Sequence, residues 1–127
     1  DLPRSRGLGD VYKRQQYGLP VKIINLNNRA LGMVKQWQDM QYGGRYSSIS
    51  YEDSLPDFVK LAESFGHVGL KVEKFSELNA AMEEAFSLKD KLVFLDVLID
   101  PDEHVYPMLE AGGSMSEMRI SKKDKTF

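Results

Sequence analysis

The chain has 127 residues, of which 42% are hydrophobic and 28% are charged, and its formal net charge at pH 7 is -2. This composition is typical of one globular domain with one core and excludes a disordered or fibrous chain. Without a basic stripe or a long apolar run, neither nucleic acid nor a membrane is expected as a partner. The absence of cysteine excludes disulfides, thiolate nucleophiles and sulfur-ligated zinc, and it fits a reducing, cytoplasmic location.

Residues 1–15 carry four of the 17 basic residues and little apolar periodicity, so we expect a separate leader that is not native to the protein. From Gln16 onward, strand-like and helix-like segments alternate. Gly18 and Pro20 are typical of a helix end, because glycine adopts the left-handed conformation and proline cannot continue a helix. The final residues, 119–127, predict a frayed tail.

Three amphipathic segments predict helices. The first runs from Leu31 to Met40. The second has Ser54 as its N-cap and an apolar stripe that ends at Phe65, and the third has Ser76 as its cap. Serine is favoured at such positions because its hydroxyl oxygen accepts a hydrogen bond from a backbone N–H of the first turn.

Apolar runs at 21–26, 68–72 and 92–99 predict three strands that alternate with these helices. Strands that are apolar on both faces and alternate with helices favour a parallel sheet with right-handed crossovers. The predicted fold class is therefore α/β, a three-layer parallel sheet with helices on both faces. In such sheets ligands bind beyond the carboxyl ends of the strands.

Asn27 and Asn28 follow the first predicted strand, where an amide oxygen suits a magnesium–phosphate pair. The same two residues also suit a tight turn, because asparagine tolerates left-handed backbone angles. The residue pair alone leaves both interpretations open.

The residues around this pair resemble a known family. Residues 25–38 (NLNNRALGMVKQWQ) are similar to the second half of the thiamine-diphosphate motif of acetolactate synthase catalytic subunits. The resemblance continues through 42–47 (YGGRYS), 55–62 (LPDFVKLA), Pro107–Met108 and Gly112–Gly113, and it covers about residues 16–118. It implies that the chain is an incomplete C-terminal part of a thiamine-diphosphate-binding domain.

The resemblance also implies roles for individual residues. The side chain of Asn28 and the backbone carbonyl of Ala30 would bind Mg²⁺, and Leu31, Gly32 and Met33 would lie against the cofactor. Met33 and Trp37 would line the substrate pocket. For Met33 the alternative is core packing. For Trp37 the alternative is a core anchor, and a pocket tryptophan differs from it by leaving ring surface exposed.

The parent activity implied by the resemblance is condensation of two pyruvates, or of pyruvate and 2-ketobutyrate, with release of CO₂. Its cofactors would be thiamine diphosphate and Mg²⁺, with FAD in the parent subunit. Its partners would be 2-keto acid substrates, a second copy in a homodimer or tetramer, and a regulatory small subunit.

The family's motif begins with Gly-Asp-Gly, and Gly9-Asp10-Val11 does not match it. Only 17 residues separate Asp10 from Asn28, whereas a helix, a strand and their connections need roughly 20 to 30. No catalytic residue is assigned to this chain, since the activating glutamate belongs to a domain not found in it. We expect the chain alone to be inactive and to bind thiamine diphosphate weakly or not at all.

Two alternatives remain open at this point: another thiamine-diphosphate enzyme, such as a glyoxylate carboligase or a catabolic acetolactate synthase, and a non-catalytic α/β binding module. Trp37 with its two neighbouring glutamines favours the biosynthetic acetolactate synthase. His67 and His104 are interpreted as structural or solvated. Asp96 interrupts an apolar strand, near a strand end or facing a polar partner, and is assigned no function.

Overall fold

The computed structural model describes residues 16–51 and 53–121. The leader expected at 1–15, with Asp10, and the end of the expected tail at 122–127 lie outside these residues. One core was expected, but the chain divides into two compact units. Among the described residues, the first comprises 16–27 together with Pro56–Leu98, and the second comprises 28–51 and 53–55 together with 99–121.

The first unit contains the parallel sheet that the sequence predicts. Its strands are β1 (Lys22–Asn27), β2 (Val68–Val72) and β3 (Val93–Leu98), in the order β1-β3-β2. Both pairings of β3 are parallel. The strand with the longest apolar run is the central one, because a central strand is covered on both faces and flanked on both edges. The predicted α/β fold class is confirmed.

The described helices are α1 (Gly32–Tyr42), α2 (Phe58–Ser64) and α3 (Leu78–Ser87). In the first unit, α2 and α3 both pack on β2 and β3. Phe58 of α2 stacks on Phe94, with ring centroids 5.9 Å apart. Val93, Leu95 and Val97 alternate with Phe94 and are buried on the opposite face. A right-handed crossover, the usual hand for parallel strands, would place α3 on that face.

Two of the predicted helix starts are wrong. Helix α2 begins at Phe58 with Asp57 as its N-cap, not Ser54, because the Asp57 carboxylate accepts hydrogen bonds from the backbone N–H groups of Val59 and Lys60. Ser76 lies inside a 3₁₀ turn that precedes α3. There the Glu77 carboxylate accepts from the backbone N–H of Lys74 at 3.1 Å. In both places a carboxylate accepts hydrogen bonds from the backbone N–H groups at the turn, and a charged acceptor makes a stronger hydrogen bond than a neutral one.

The second unit is built around α1, which ends as predicted before the glycine pair: Gly43 has a φ of 59° and closes the helix in the left-handed conformation. Two isolated antiparallel bridges hold its loops, between Ala30 and Ser50 and between Met108 and Arg119. Arg119, the first residue of the expected tail, is thus paired. Within residues 16–51 and 53–121, no helix is long and apolar enough to cross a membrane.

Candidate cofactor and substrate site

Asn28 begins the loop that leads from β1 to α1. Its side-chain oxygen Oδ1 accepts a hydrogen bond from the backbone N–H of Ala30 at 3.1 Å. Arg29 between them has a φ of 55°, in the left-handed region. The side chain of Asn28 therefore closes a tight turn, so the turn interpretation is correct as local structure. It does not exclude a metal role, because an amide oxygen has a second lone pair.

The bridge beside Asn28 orients the carbonyl group of Ala30. Leu31 N–H donates to Ile49 O, and Tyr51 N–H donates to Arg29 O, each at 3.0 Å. Since these flanking groups face the 49–51 segment, the carbonyl of Ala30 points away from it. In the described part of the chain this carbonyl accepts no hydrogen bond. The oxygen is accordingly available to another donor or to a cation.

Gly32 fits closely against the amide of Asn28. A Cβ at position 32 would lie 2.6 Å from Nδ2 of Asn28, well inside contact distance. The family resemblance implies that Gly32 lies against the cofactor. The structure adds a second reason for glycine, which is that any larger residue would displace the Asn28 side chain.

Apolar side chains next to this loop remain exposed. Leu31 is 44% exposed and Met33 is 47% exposed, so the core alternative for Met33 is wrong within this chain. Trp37 is half-buried. It is therefore not fully buried, as a core anchor would be. The cofactor and pocket roles of these residues stay predictions.

The two glutamines on either side of Trp37 each pair with the backbone of another segment. Gln36 donates to Val105 O at 2.8 Å and accepts from Val105 N–H at 2.9 Å. Gln38 donates to Ser47 O at 3.2 Å and accepts from Ser47 N–H at 2.9 Å. These pairings could not be predicted from the sequence, because glutamine on a helix is ordinarily a solvated residue.

Lys35 and Asp39, on the same helix, form the centre of a charged cluster. The Lys35 ammonium donates to Asp102 at 2.6 Å, to Tyr46 at 3.0 Å and to Asp39 at 3.1 Å. Burial alone would lower the pKa of Lys35, but these hydrogen bonds outweigh it and the pKa is raised. Burial would raise the pKa of Asp39, yet hydrogen bonds from Tyr46 and Lys35 lower it.

His104 joins this cluster, with Nε2 2.9 Å from Asp39 Oδ2 and the side chain only 7% exposed. Its interpretation as a structural residue holds, and the solvated alternative does not. The cluster borders a polar pocket of about 290 Å³. Its lining residues are Asp39, Met40, Tyr46, Asp102, His104, Tyr106 and Arg119. Among the residues described, no group of three or more acidic, histidine or cysteine side chains is arranged to hold a metal ion.

In the first unit, Asp96 faces polar partners, as one of the two interpretations expected. It is 4% exposed, and its carboxylate accepts from the side-chain amides of Asn25 at 2.7 Å and Asn27 at 3.2 Å. The sequence reasoning assigned it no function. The structure gives it a local one, which is to hold the polar side chains at the carboxyl end of β1.

His67 borders a small apolar cavity of about 120 Å³ between α2 and the sheet. Its ring stacks on Phe65, with centroids 6.4 Å apart. Phe58, Leu61 and Phe94 also line the cavity. This apolar environment fits the interpretation of His67 as a structural residue.

Comparison with known proteins places the chain among cofactor-dependent enzymes. Residues 8–97 match the family model described as thiamine pyrophosphate enzyme, C-terminal TPP binding domain. The match begins inside the expected leader, whose boundary stays a prediction.

Several relatives are acetolactate synthase large subunits. The chain is 61% identical over 107 residues to the one from Haemophilus influenzae, which covers 84% of this chain and 18% of that protein. It is 56% identical over 113 residues to the isozyme 3 large subunit from Escherichia coli. This match covers 87% of this chain and 20% of that protein. The large subunit from Corynebacterium glutamicum is 40% identical over 107 residues, and this match covers 82% of this chain and 17% of that protein. The chain thus spans about a fifth of the length of these relatives, and the resemblance to acetolactate synthase is confirmed.

Proposed function

Since the chain belongs to the thiamine pyrophosphate enzyme family through its C-terminal TPP-binding domain, we propose that it is part of the catalytic large subunit of an acetolactate synthase. Thiamine pyrophosphate and thiamine diphosphate are two names for one cofactor. The observation that carries the proposal is the pair of oxygen donors on Asn28 and Ala30, in the segment with the family's motif. Because the chain spans a fifth of its relatives, the activity belongs to a longer subunit.

The proposed reaction of that subunit joins two pyruvates, or pyruvate and 2-ketobutyrate, with loss of CO₂, in branched-chain amino-acid biosynthesis. Bound thiamine diphosphate supplies the electron sink for decarboxylation, while the protein binds and orients it. FAD, a homodimer or tetramer and a regulatory small subunit are part of the proposal for the whole enzyme. The cytoplasmic location expected from the sequence stays a prediction.

The residues in the loop after β1 fit a magnesium–diphosphate pair chemically. Mg²⁺ prefers hard oxygen ligands and keeps the rest of its coordination for phosphate oxygens and water. Asn28 would contribute its side-chain oxygen and Ala30 its backbone carbonyl, which leaves the identity of the side chain at position 30 free. The turn between these two residues supports the assignment, because it brings both oxygens into one short loop.

The exposed apolar residues support a role in substrate binding. Leu31 and Met33 would form part of the wall beside the cofactor, and the half-buried Trp37 would contact the acceptor 2-keto acid. An apolar wall excludes water from the reacting centre, which protects a reactive intermediate from unwanted protonation. In this proposal the chain contributes two oxygen ligands of Mg²⁺ and part of the acceptor pocket. No residue in it is proposed as a catalytic acid or base.

The proposal is tested by replacing the matching C-terminal segment of the Haemophilus influenzae large subunit with residues 16–121 of this chain and measuring acetolactate formation. We expect the chimera to need thiamine diphosphate and Mg²⁺ and to lose most activity when Asn28 is changed to Ala. A folded chimera that binds the cofactor but makes no acetolactate would contradict the proposed reaction.

The 127-residue chain by itself provides the second test. Calorimetric titration with thiamine diphosphate and Mg²⁺ should show weak binding or none, because the remaining ligands lie in the longer subunit. Tight, magnesium-dependent binding in the low-micromolar range would show that the chain holds a complete site and would contradict its role as a partial one.

A further inference from the structure

Trp37 lies between two glutamines that use their side-chain amides in the same way. The amide of Gln36 makes both a donor and an acceptor bond to Val105, and the amide of Gln38 does the same with Ser47. All four atom pairs lie between 2.8 and 3.2 Å. A carboxamide held by bonds to both the N–H and the C=O of one residue has its rotation fixed, as a backbone group has in a β-bridge.

The geometry of a helix makes this arrangement effective against rotation about the helix axis. Successive residues on an α-helix point about 100° apart, so the side chains of Gln36 and Gln38 leave α1 in widely different directions. Rolling the helix in either direction would stretch one or both pairs. Because Trp37 is on the segment between them, the same bonds restrain the backbone from which its ring extends.

Burial indicates which of the two pairings is stronger. Gln36 is 1% exposed, whereas Gln38 is half-buried. A hydrogen bond shielded from water is harder to replace, and breaking it leaves the buried amide of Gln36 without its backbone partners. Lys35, directly before Gln36, adds its charged contacts to Asp39 and Asp102.

We propose that Gln36 and Gln38 are positioning residues that set the acceptor preference of the site by fixing the orientation of Trp37. This inference rests on the proposed function, since it assigns the Trp37 ring to the acceptor pocket. The two glutamines do not contact substrate. They act through Trp37, whose ring would discriminate pyruvate from the larger 2-ketobutyrate by fit, and such discrimination falls when the ring can move.

The test uses the chimeric large subunit described above, with Gln36→Met and Gln38→Met as separate variants. Methionine keeps the length and volume of glutamine but removes both hydrogen bonds. Gln41→Met is the matched control, because Gln41 is exposed on the same helix and its side chain makes no hydrogen bond to a described residue. Each enzyme is given pyruvate and 2-ketobutyrate together, and the ratio of the two products is measured.

We expect both variants to change the product ratio by ~3-fold or more, which corresponds to one hydrogen bond of ordinary net strength, with the larger change for Gln36→Met. The control should keep the ratio of the parent chimera. A variant that loses total activity while the ratio stays constant would mean that the glutamine stabilises the fold only, and this overturns the inference. If Gln36→Met fails to fold, Gln38→Met decides the question.

A second measurement uses the 127-residue chain, in which Trp37 is the only tryptophan. Acrylamide quenching of its fluorescence should increase in both methionine variants and stay unchanged in the Gln41→Met control. Equal quenching in all chains would overturn the inference even if the product ratio changed. An inactive parent chimera, in contrast, would contradict the proposed function itself, and the two failures are therefore distinguishable.

Discussion

Gly32 lies so close to the side chain of Asn28 that a Cβ at position 32 would meet Nδ2 at 2.6 Å. The nearest obstacle is the end of a side chain and not backbone, so a larger residue would be accommodated by moving the amide. The glycine thereby controls where the proposed metal ligand points.

Gly32→Ala should weaken magnesium-dependent cofactor binding without destabilising the fold. Gly32 does not have a left-handed φ, so alanine fits its backbone conformation. Because alanine also lowers the conformational entropy of the unfolded chain, it should stabilise the folded state by about 0.4–1 kcal/mol. Displacement of the Asn28 amide should raise the Kd for the cofactor in the chimeric subunit about tenfold, equivalent to about 1.4 kcal/mol. Calorimetry and denaturant unfolding measure the two effects, which have opposite signs.

The double variant supplies the control for this prediction. In an Asn28→Ala background, Gly32→Ala should have little further effect on cofactor binding, because the two residues act on one contact and are not additive. Equal, independent losses from the two substitutions would show that Gly32 acts by another route.

Gly69→Ala should destabilise the first unit, since the new Cβ would lie 2.7 Å from the backbone carbonyl oxygen of Val59 and 2.8 Å from its Cα. Here the obstacle is the backbone of α2, which has to move away from the sheet. We expect a loss of about 1–3 kcal/mol in the free energy of unfolding, the usual cost of overpacking. Urea unfolding followed by circular dichroism tests this, with the exposed Lys71→Ala on the same strand expected to leave the free energy of unfolding nearly unchanged.

Asp96→Ala should lower the free energy of unfolding by about 1–3 kcal/mol, because the amides of Asn25 and Asn27 lose their shared buried acceptor. Asp96→Asn keeps one acceptor oxygen and should lose less. Asp90, exposed in the loop before β3, is the control for removing a carboxylate. The prediction is wrong if Asp90→Ala and Asp96→Ala destabilise the chain equally in the same urea titration.

The stability of the second unit should depend on pH through the ionisation of Asp39. Its pKa is lowered in the folded chain, because hydrogen bonds from Tyr46 and Lys35 outweigh the effect of burial. Its contribution is therefore fully present above the unfolded pKa, near 4, and is lost as the pH falls through the lower folded value. At pH 7, Asp39→Asn should lower the free energy of unfolding by about 1.5 kcal/mol or more. In acid, the free energies of unfolding of the variant and the wild type should differ less.

Fluorescence of Trp37 during urea unfolding reports on this unit directly. Asp53→Asn makes the same charge change at an exposed position of the same unit and should leave the acid dependence unaltered. A loss of stability in Asp39→Asn that is constant from pH 7 into the acid range would show that ionisation of this carboxylate is not the cause.

Much of the fold could be predicted because its signals are local. The apolar run of β3 identified the central strand, and the glycine pair at 43–44 marked the end of α1. The exact helix starts could not be predicted in the same way. Ser54 was predicted as the cap of α2 from its residue type, and only the conformation of the loop decided that the carboxylate of Asp57 faces the free N–H groups.

The candidate site likewise has a local part that could be predicted and distant contacts that could not. Asn28, Ala30 and Gly32 lie within five residues of one another, so the motif and its turn chemistry are carried by neighbouring residues. Trp37 was identified from the same continuous segment. Its two supporting contacts were not, since Val105 is 69 residues away from Gln36 and nothing in the sequence of either segment specifies the other.

The sequence by itself determined the alternation of strands and helices, the parallel sheet and the oxygen-bearing loop after the first strand, because each depends on side-chain periodicity or on residues a few positions apart. Only the tertiary structure decided the partners of Gln36, Asp39 and Asp96. Polar side chains of these types are satisfied equally well by water, and it is the packing of distant segments that removes the water and leaves one partner for each.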